Sequence, residues 1–242
     1  MTITREDLKT GRIRRLFAGG GKGPRPLTDQ EFEDSIAGVL AARTHGGDVW
    51  VFGYGSLVWN PLFHYVERRR ATLHGFHRRF CLWSVVGRGT PEAPGLVLGL
   101  DRGGCCHGVA YRLAAASAPE ELRLLWCREM VTGAYVPRWL RARCDSGGFP
   151  ALAFVVNRAH AGYAGRLPFE TVVRAIAAAS GLIGSSADYL RHTREGLARH
   201  GIRDPQLDAV HAAVAASAPA PVDPPLDPAV SPPDRAAERS CP

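Results

Sequence analysis

Apolar and polar positions alternate in short runs through the middle of the chain and recur with helical spacing around them. Thr28-Asp29-Gln30-Glu31 has the form of a capping box, and Phe32, Ile36, Val39 and Leu40 follow at helical intervals. This predicts a helix over about 29–43, stopped by His45-Gly46-Gly47. Val49-Trp50-Val51-Phe52 is a compact β-favouring run that breaks at Gly53-Tyr54-Gly55-Ser56. Residues 65–73 and 76–84 read as a strand pair around His74-Gly75. Residues 95–100 and 108–113 read as a hairpin turning at Asp101-Arg102-Gly103-Gly104. Residues 151–157 form one more strand. A helix is expected over 118–132, with Ser117 as its N-cap, Pro119 near its first position, Glu120 and Glu121 in its first turn and Gly133 after its end. Two more are expected, from Pro168 to Gly181 and from Ser186 to His200, the latter closed by Gly201. Strands in hairpins with helices inserted late argue for an α+β fold with a curled or barrel-like sheet, not a doubly wound one.

Composition changes this picture at the two ends. The chain has 242 residues, 45% hydrophobic and 22% charged, enough to bury a core. Residues 1–26 carry Arg5, Lys9, Arg12, Arg14, Arg15, Lys22 and Arg25 against Glu6 and Asp7, and end in Gly- and Pro-rich sequence. They read as a flexible basic arm. Residues 218–242 are proline-rich and lack aromatics, and read as a disordered tail. One domain is expected between them, over 27–217, with both ends dispensable. The overall charge of +7 is mild once the arm is set aside, so no nucleic-acid partner is expected. No apolar run approaches a membrane span, and MTITREDLKTGRIRRL has no apolar signal region. With six cysteines in such a chain, reduced thiols and a cytoplasmic location are expected.

Two features could carry chemistry. The glycines around Tyr54 let the backbone bend, with left-handed conformations open to them, and let a ligand approach closely. Successive exposed amides there would make an anion-binding nest; an ordinary tight turn is the other reading. In the helix at 118–132, Leu122, Leu125 and Trp126 define an apolar stripe whose next position is Glu129. A carboxylate on a buried stripe is expensive unless paired, and burial raises its pKa toward the range useful to a general acid or base. An ion pair with adjacent Arg128 is the alternative, although that side chain projects from another part of the helix. Cys105-Cys106-His107 and His74-x-x-His77 lack metal-site spacing, and strand neighbours point to opposite faces, so no metal is expected. The scattered tryptophans read as core or pocket wall.

From Trp50 to Pro61, WVFGYGSLVWNP, the sequence resembles the ChaC-type gamma-glutamylcyclotransferases. The likeness continues through His77-Arg78-Arg79-Phe80-Cys81-Leu82, Gly87-Arg88-Gly89-Thr90 and Gly108-Val109-Ala110-Tyr111-Arg112-Leu113. It runs on through LWCREMVTGAY at 125–135 and closes at Ser185-Ser186-Ala187-Asp188-Tyr189-Leu190. It covers about residues 50 to 210 in family order, and the leading helix resembles the bacterial members. The resemblance implies a mixed β-barrel with flanking helices, needing neither metal nor cofactor. It implies that the backbone of Val51, Phe52, Gly53, Tyr54, Gly55, Ser56 and Leu57 cradles the gamma-glutamyl end of glutathione. Glu129 would be the acid/base, with Arg88, Tyr135 and Tyr189 as pocket candidates. The expected reaction is glutathione cleavage to 5-oxoproline and cysteinylglycine, by attack of the substrate's own α-amine. A non-catalytic binding protein on the same barrel, or a cyclotransferase for other gamma-glutamyl peptides or amines, are the alternatives.

Overall fold

Two long strands build most of the sheet. The computed structural model describes residues 3–19, 23–44 and 46–217, so the proline-rich tail lies outside the described residues. Strands β1 (Val49–Gly53), β2 (Glu67–Ser84), β3 (Gly95–Leu113), β4 (Tyr135–Cys144) and β5 (Gly147–Val156) close a barrel in the order β1-β3-β2-β4-β5. Strand β5 completes the circle through parallel contacts with β1 at Val51–Leu152 and with β3 at Leu100–Val155.

The two hairpins expected within 65–84 and 95–113 are absent. Each segment is one continuous strand, and the two pair with each other, from Glu67–Arg112 to Ser84–Gly95. The glycines read as turns are a bend in the ribbon: Gly75 (φ +81°) lies opposite Gly103 (φ +102°) and Gly104 (φ +67°), where the register shifts. The extra residue on one side makes a bulge, which curls the sheet instead of reversing the chain. Strand β4, which Pro137 disguises in the sequence, pairs antiparallel with β5 along its whole length.

Seven helices surround the barrel among the described residues: α1 (Arg5–Lys9), α2 (Arg12–Ala18), α3 (Asp29–Ala41), α4 (Ala118–Glu129), α5 (Phe169–Ala178), α6 (Ser186–Arg199) and α7 (Pro205–Ser217). The capping box at Thr28–Glu31 forms as expected. Ser117 occupies the N-cap position of α4, but its hydroxyl reaches back to the Ala114 carbonyl (3.3 Å) and does not cap. Leu122, Leu125 and Trp126 of α4 face the barrel, and the Trp126 ring meets Phe154 of β5 edge-on at 5.2 Å. Burial of side chains of this size contributes about 1.5–3 kcal/mol each. It fixes the axial position of the helix whose last residue is Glu129.

The N-terminal segment is not a flexible arm. Thr4 and Asp7 make a reciprocal cap for α1. Leu8 and Ile13 are buried against Leu124 and Val131. Arg5 grips Glu121 bidentately, Nη1 to Oε2 at 2.6 Å and Nη2 to Oε1 at 2.9 Å, and the Glu121 side chain is only 3% exposed. Burial pushes the Glu121 carboxyl up, but the Arg5 hydrogen bonds and the His64 amide outweigh it and hold it below its ordinary value. The clamp therefore acts above the usual carboxylate range and weakens as pH falls through that lowered value. Two helices of five and seven residues carry too little periodicity to read from sequence, and the partner of Arg5 lies 116 residues away. Removing residues 1–26 would leave Glu121 as a buried charge without its cation, contrary to the expectation that this end is dispensable.

Candidate active site

Where β1 ends, the chain turns through Tyr54 and Gly55 into a single 3-10 turn, Ser56–Val58. The side chains of Val51, Phe52 and Leu57 are buried in the core, and the Tyr54 hydroxyl donates to the Phe154 carbonyl at 2.8 Å. This loop can therefore meet a ligand only through its backbone and Ser56. Its carbonyls are occupied. Tyr54 O accepts from Arg78 Nη1 (2.7 Å), Gly55 O from the Val58 amide (3.0 Å), and Ser56 O from the Trp59 and Asn60 amides. Leu57 O accepts from the Tyr111 hydroxyl at 3.1 Å. In a trans peptide, N–H and C=O point in opposite directions. Pinning the carbonyls of Tyr54, Gly55 and Ser56 thus turns the amides of Gly55, Ser56 and Leu57 the other way.

Neither Gly53 nor Gly55 has positive φ, contrary to the freedom expected of them. At Gly55 the need is space: a Cβ there would lie 2.9 Å from the Tyr189 hydroxyl. Tyr189 is buried, with Phe80 edge-on at 6.3 Å and the Arg88 guanidinium 5.5 Å from its ring centre. Gly55→Val is expected to displace either the loop or Tyr189, raising the KM for substrate at least tenfold while the barrel still folds. Steady-state kinetics with circular dichroism checks this, and an unchanged KM would show that the contact yields without consequence.

Beside the loop lies a pocket lined by Ser56, Trp59, Asn60, Arg88, Arg128, Glu129, Tyr135, His160 and Tyr189, among others. Glu129 sits at the C-terminal end of α4 with its side chain 13% exposed. Contrary to the helical-wheel reading, Arg128 shares this pocket: its Nε is 3.0 Å from Glu129 Oε1, and Nη1 donates to the Asn60 carbonyl. The helix ends at Glu129, so consecutive long side chains can fold over the terminus into one space. The contact is one of charge without hydrogen-bond alignment, because the buried Oε1 accepts no hydrogen bond among the described residues. Burial raises the Glu129 pKa and Arg128 pulls it back only in part, so the carboxyl stays above its ordinary range.

The remaining polar groups follow from their supports. Tyr135 donates to the Leu98 carbonyl (2.9 Å), and burial pushes the Tyr189 hydroxyl up to about 12. Both phenols therefore stay protonated near Glu129. Arg88 is 9% exposed, donates to the Ser185 carbonyl at 3.3 Å, and has its pKa lowered by burial. His160 Nδ1 accepts from the Gly162 amide at 3.0 Å, which leaves the proton of a neutral ring on Nε2. Trp59 lines the pocket, one of the two readings given to the tryptophans, whereas sequence reasoning missed Asn60, Arg128 and His160 as pocket residues, and it also missed Arg78. For Arg128 the signal was its adjacency to Glu129. Cys105 is exposed and Cys106 buried, as neighbours on a strand should be, and among the described residues no group of histidines, cysteines and carboxylates is arranged to hold a metal.

A closed barrel with this loop and a carboxylate at the end of a docked helix defines a class, and residues 49–217 match the ChaC-like protein family. The chain belongs to that family. It is 42% identical over 181 residues to the glutathione-specific gamma-glutamylcyclotransferase of Escherichia coli strain K12, covering 74% of this chain and 78% of the relative. It is 35% identical over 173 residues to glutathione-specific gamma-glutamylcyclotransferase 1 of Mus musculus, covering 69% and 78%. In structure it is similar to the yeast gamma-glutamyl cyclotransferase specific to glutathione, with a TM-score of 0.64 at 23% identity, over 71% of this chain and 97% of that one. This last likeness concerns the fold.

Proposed function

We propose that this chain is a gamma-glutamylcyclotransferase acting on glutathione, with the 51–57 loop holding the glutamyl end and Glu129 moving the proton. The observation that carries the reading is the buried Oε1 of Glu129, which accepts no hydrogen bond although Arg128 Nε lies 3.0 Å away, in the same pocket as a loop whose carbonyls are tied back. Glutathione near neutral pH has two carboxylates and one ammonium. Arg88 and Arg128 against Glu129 give the pocket a net positive charge, which suits that net anion. The turned-out amides of Gly55, Ser56 and Leu57 supply donors for the glutamyl carboxylate.

The ammonium of the folded-back glutamyl group lies against Oε1, and Glu129 takes one of its protons. The freed amine lone pair attacks the γ-carbonyl carbon, forming the ring C–N bond and placing negative charge on the carbonyl oxygen. As that charge returns, the bond to the cysteine nitrogen breaks and Glu129 hands its proton to that nitrogen; the ring nitrogen, left positively charged by the attack, gives its second proton through Glu129 to the same departing amine, which leaves as an ammonium. The products are 5-oxoproline and cysteinylglycine, and the carboxylate is regenerated. Nucleophile and electrophile belong to one molecule, so holding the folded-back conformer supplies much of the acceleration. A carboxyl with a raised pKa suits a group that must accept a proton and then return it.

No helix among the described residues is long and apolar enough to cross a membrane, and the reading places the enzyme with its substrate in the cytoplasm. The test is incubation of the purified chain with glutathione, following 5-oxoproline and cysteinylglycine together. Stoichiometric release of both is expected. Binding without release would leave a glutathione-binding protein, and faster release from other gamma-glutamyl compounds would reassign the substrate.

A further inference from the structure

The pocket has a wall that the family match does not include. Ile3, Ile13, Phe17 and Pro24, all N-terminal to residues 49–217, line the same space as Glu129. They are held in place by several independent contacts. Arg5 clamps the buried Glu121 and also donates to the Leu62 carbonyl at 3.1 Å. Leu8 and Ile13 pack on Leu124 and Val131, which flank Glu129 in the chain. Asn60 Nδ2 donates to the Ile3 carbonyl at 3.1 Å, while the carbonyl of the same Asn60 receives Arg128. The segment is thus anchored to the helix that carries the carboxylate and to the residue that positions its partner arginine.

This wall is wholly apolar, whereas elsewhere the pocket mixes apolar residues such as Leu82, Val86 and Ile183 with the charged groups of Arg88, Arg128 and Glu129. In glutathione the carboxylates, ammonium and amides all need hydrogen-bonding partners, and the one soft, weakly polar group is the cysteine CH2SH. Resting on the function proposed above, we infer that the N-terminal segment is the specificity wall for the leaving half of the substrate. Its side chains, Phe17 foremost, pack on the cysteine side chain and exclude gamma-glutamyl compounds with a larger group at that place. The substrates turned away are S-substituted glutathiones, in which the thiol carries an alkyl or aryl group.

Phe17 is half-buried and lies at the edge of its cluster, so it can be changed in the full chain. The experiment compares kcat/KM for glutathione, S-methylglutathione and S-hexylglutathione, read as 5-oxoproline release, in the parent, Phe17→Ala and Phe17→Trp. The parent is expected to prefer glutathione strongly over the S-hexyl compound. Phe17→Ala should shrink that preference about tenfold, the low end of what one methylene is worth in an apolar pocket, and Phe17→Trp should sharpen discrimination against S-methylglutathione. General destabilisation would lower all three rates together and leave the ratios untouched. Unchanged ratios in both variants overturn the inference. If the parent releases no 5-oxoproline from any of them, the proposed function fails. The wall is then judged by calorimetric affinities of the same three compounds, where the same reversal between Ala and Trp is required.

Discussion

Glu129→Gln should abolish most of the turnover while leaving a folded protein. Glutamine keeps the shape and an acceptor oxygen facing Arg128, but it cannot take the substrate's ammonium proton. General acid–base help is typically worth ~10²–10⁴ in rate, and a loss of at least that order is expected. The parent's rate should rise with pH through a limb lying above the ordinary carboxylate range, because burial raises the Glu129 pKa, and this limb should vanish in the variant. Stability combines two opposed effects. A raised pKa means the folded state holds the proton more tightly than the unfolded one. The ionised carboxylate therefore costs stability as pH climbs from its unfolded to its folded pKa, and Gln removes that cost. Arg128, with its side chain 6% exposed, then loses its counter-charge. Thermal denaturation should shift little. A folded variant with full turnover would remove Glu129 from the mechanism, whereas inactivation through unfolding would make the ion pair its main role.

A larger stability effect is expected at Arg78. Its guanidinium, 4% exposed, reaches the Tyr54 carbonyl, the His107 carbonyl and Asp204 Oδ2 at 2.7 Å, tying β2 to the substrate loop and to the start of α7. Arg78→Met keeps the volume but strands two carbonyls and a carboxylate. Breaking such a pair costs about 3–5 kcal/mol when both partners are buried. The lower end applies here, because Asp204 is 17% exposed and can hydrate. With Tyr54 O released, the Gly55 amide loses its fixed direction, so the KM for glutathione should rise more than kcat falls. Arg78→Lys keeps the charge but not the fork and should restore part of the stability and little of the KM. Unchanged melting and an unchanged KM in the Met variant would show that the loop is held by its own turn alone.

Much of the candidate site was readable because its signals are local. Glu129 was exposed by the stripe of Leu122, Leu125 and Trp126, and the bend at Gly53–Ser56 by composition. The barrel was legible only as a class. Residues 67–84 and 95–113 each look like a hairpin, because a glycine bulge within a strand and a glycine turn between strands have the same composition. Only the pairing of one bend against the other decides the matter, and that is a long-range fact. Arg78 was invisible for the same reason: its partners lie at Tyr54, His107 and Asp204. The N-terminal segment was misread because basic residues near a terminus are usually solvated, and here one of them closes on a buried carboxylate.

The β2–β3 ribbon also bears on how the chain acquires its shape. Its closest-spaced pair, Ser84 with Gly95, adjoins the connection that carries Arg88, and its most separated, Glu67 with Arg112, lies at the far end. Such a ribbon can zip from its own connection outward, each new pair closing only a short additional loop, so little chain entropy is lost at any step. The parallel contacts of β5 with β1 and β3, and the clamp of Arg5 on Glu121, join parts of the chain far apart in sequence and close larger loops, so they are expected after that ribbon. The Arg88 corner of the pocket is thus among the earliest structure to form. The wall over Glu129 is among the last, so a partly folded chain leaves the proposed acid/base uncovered.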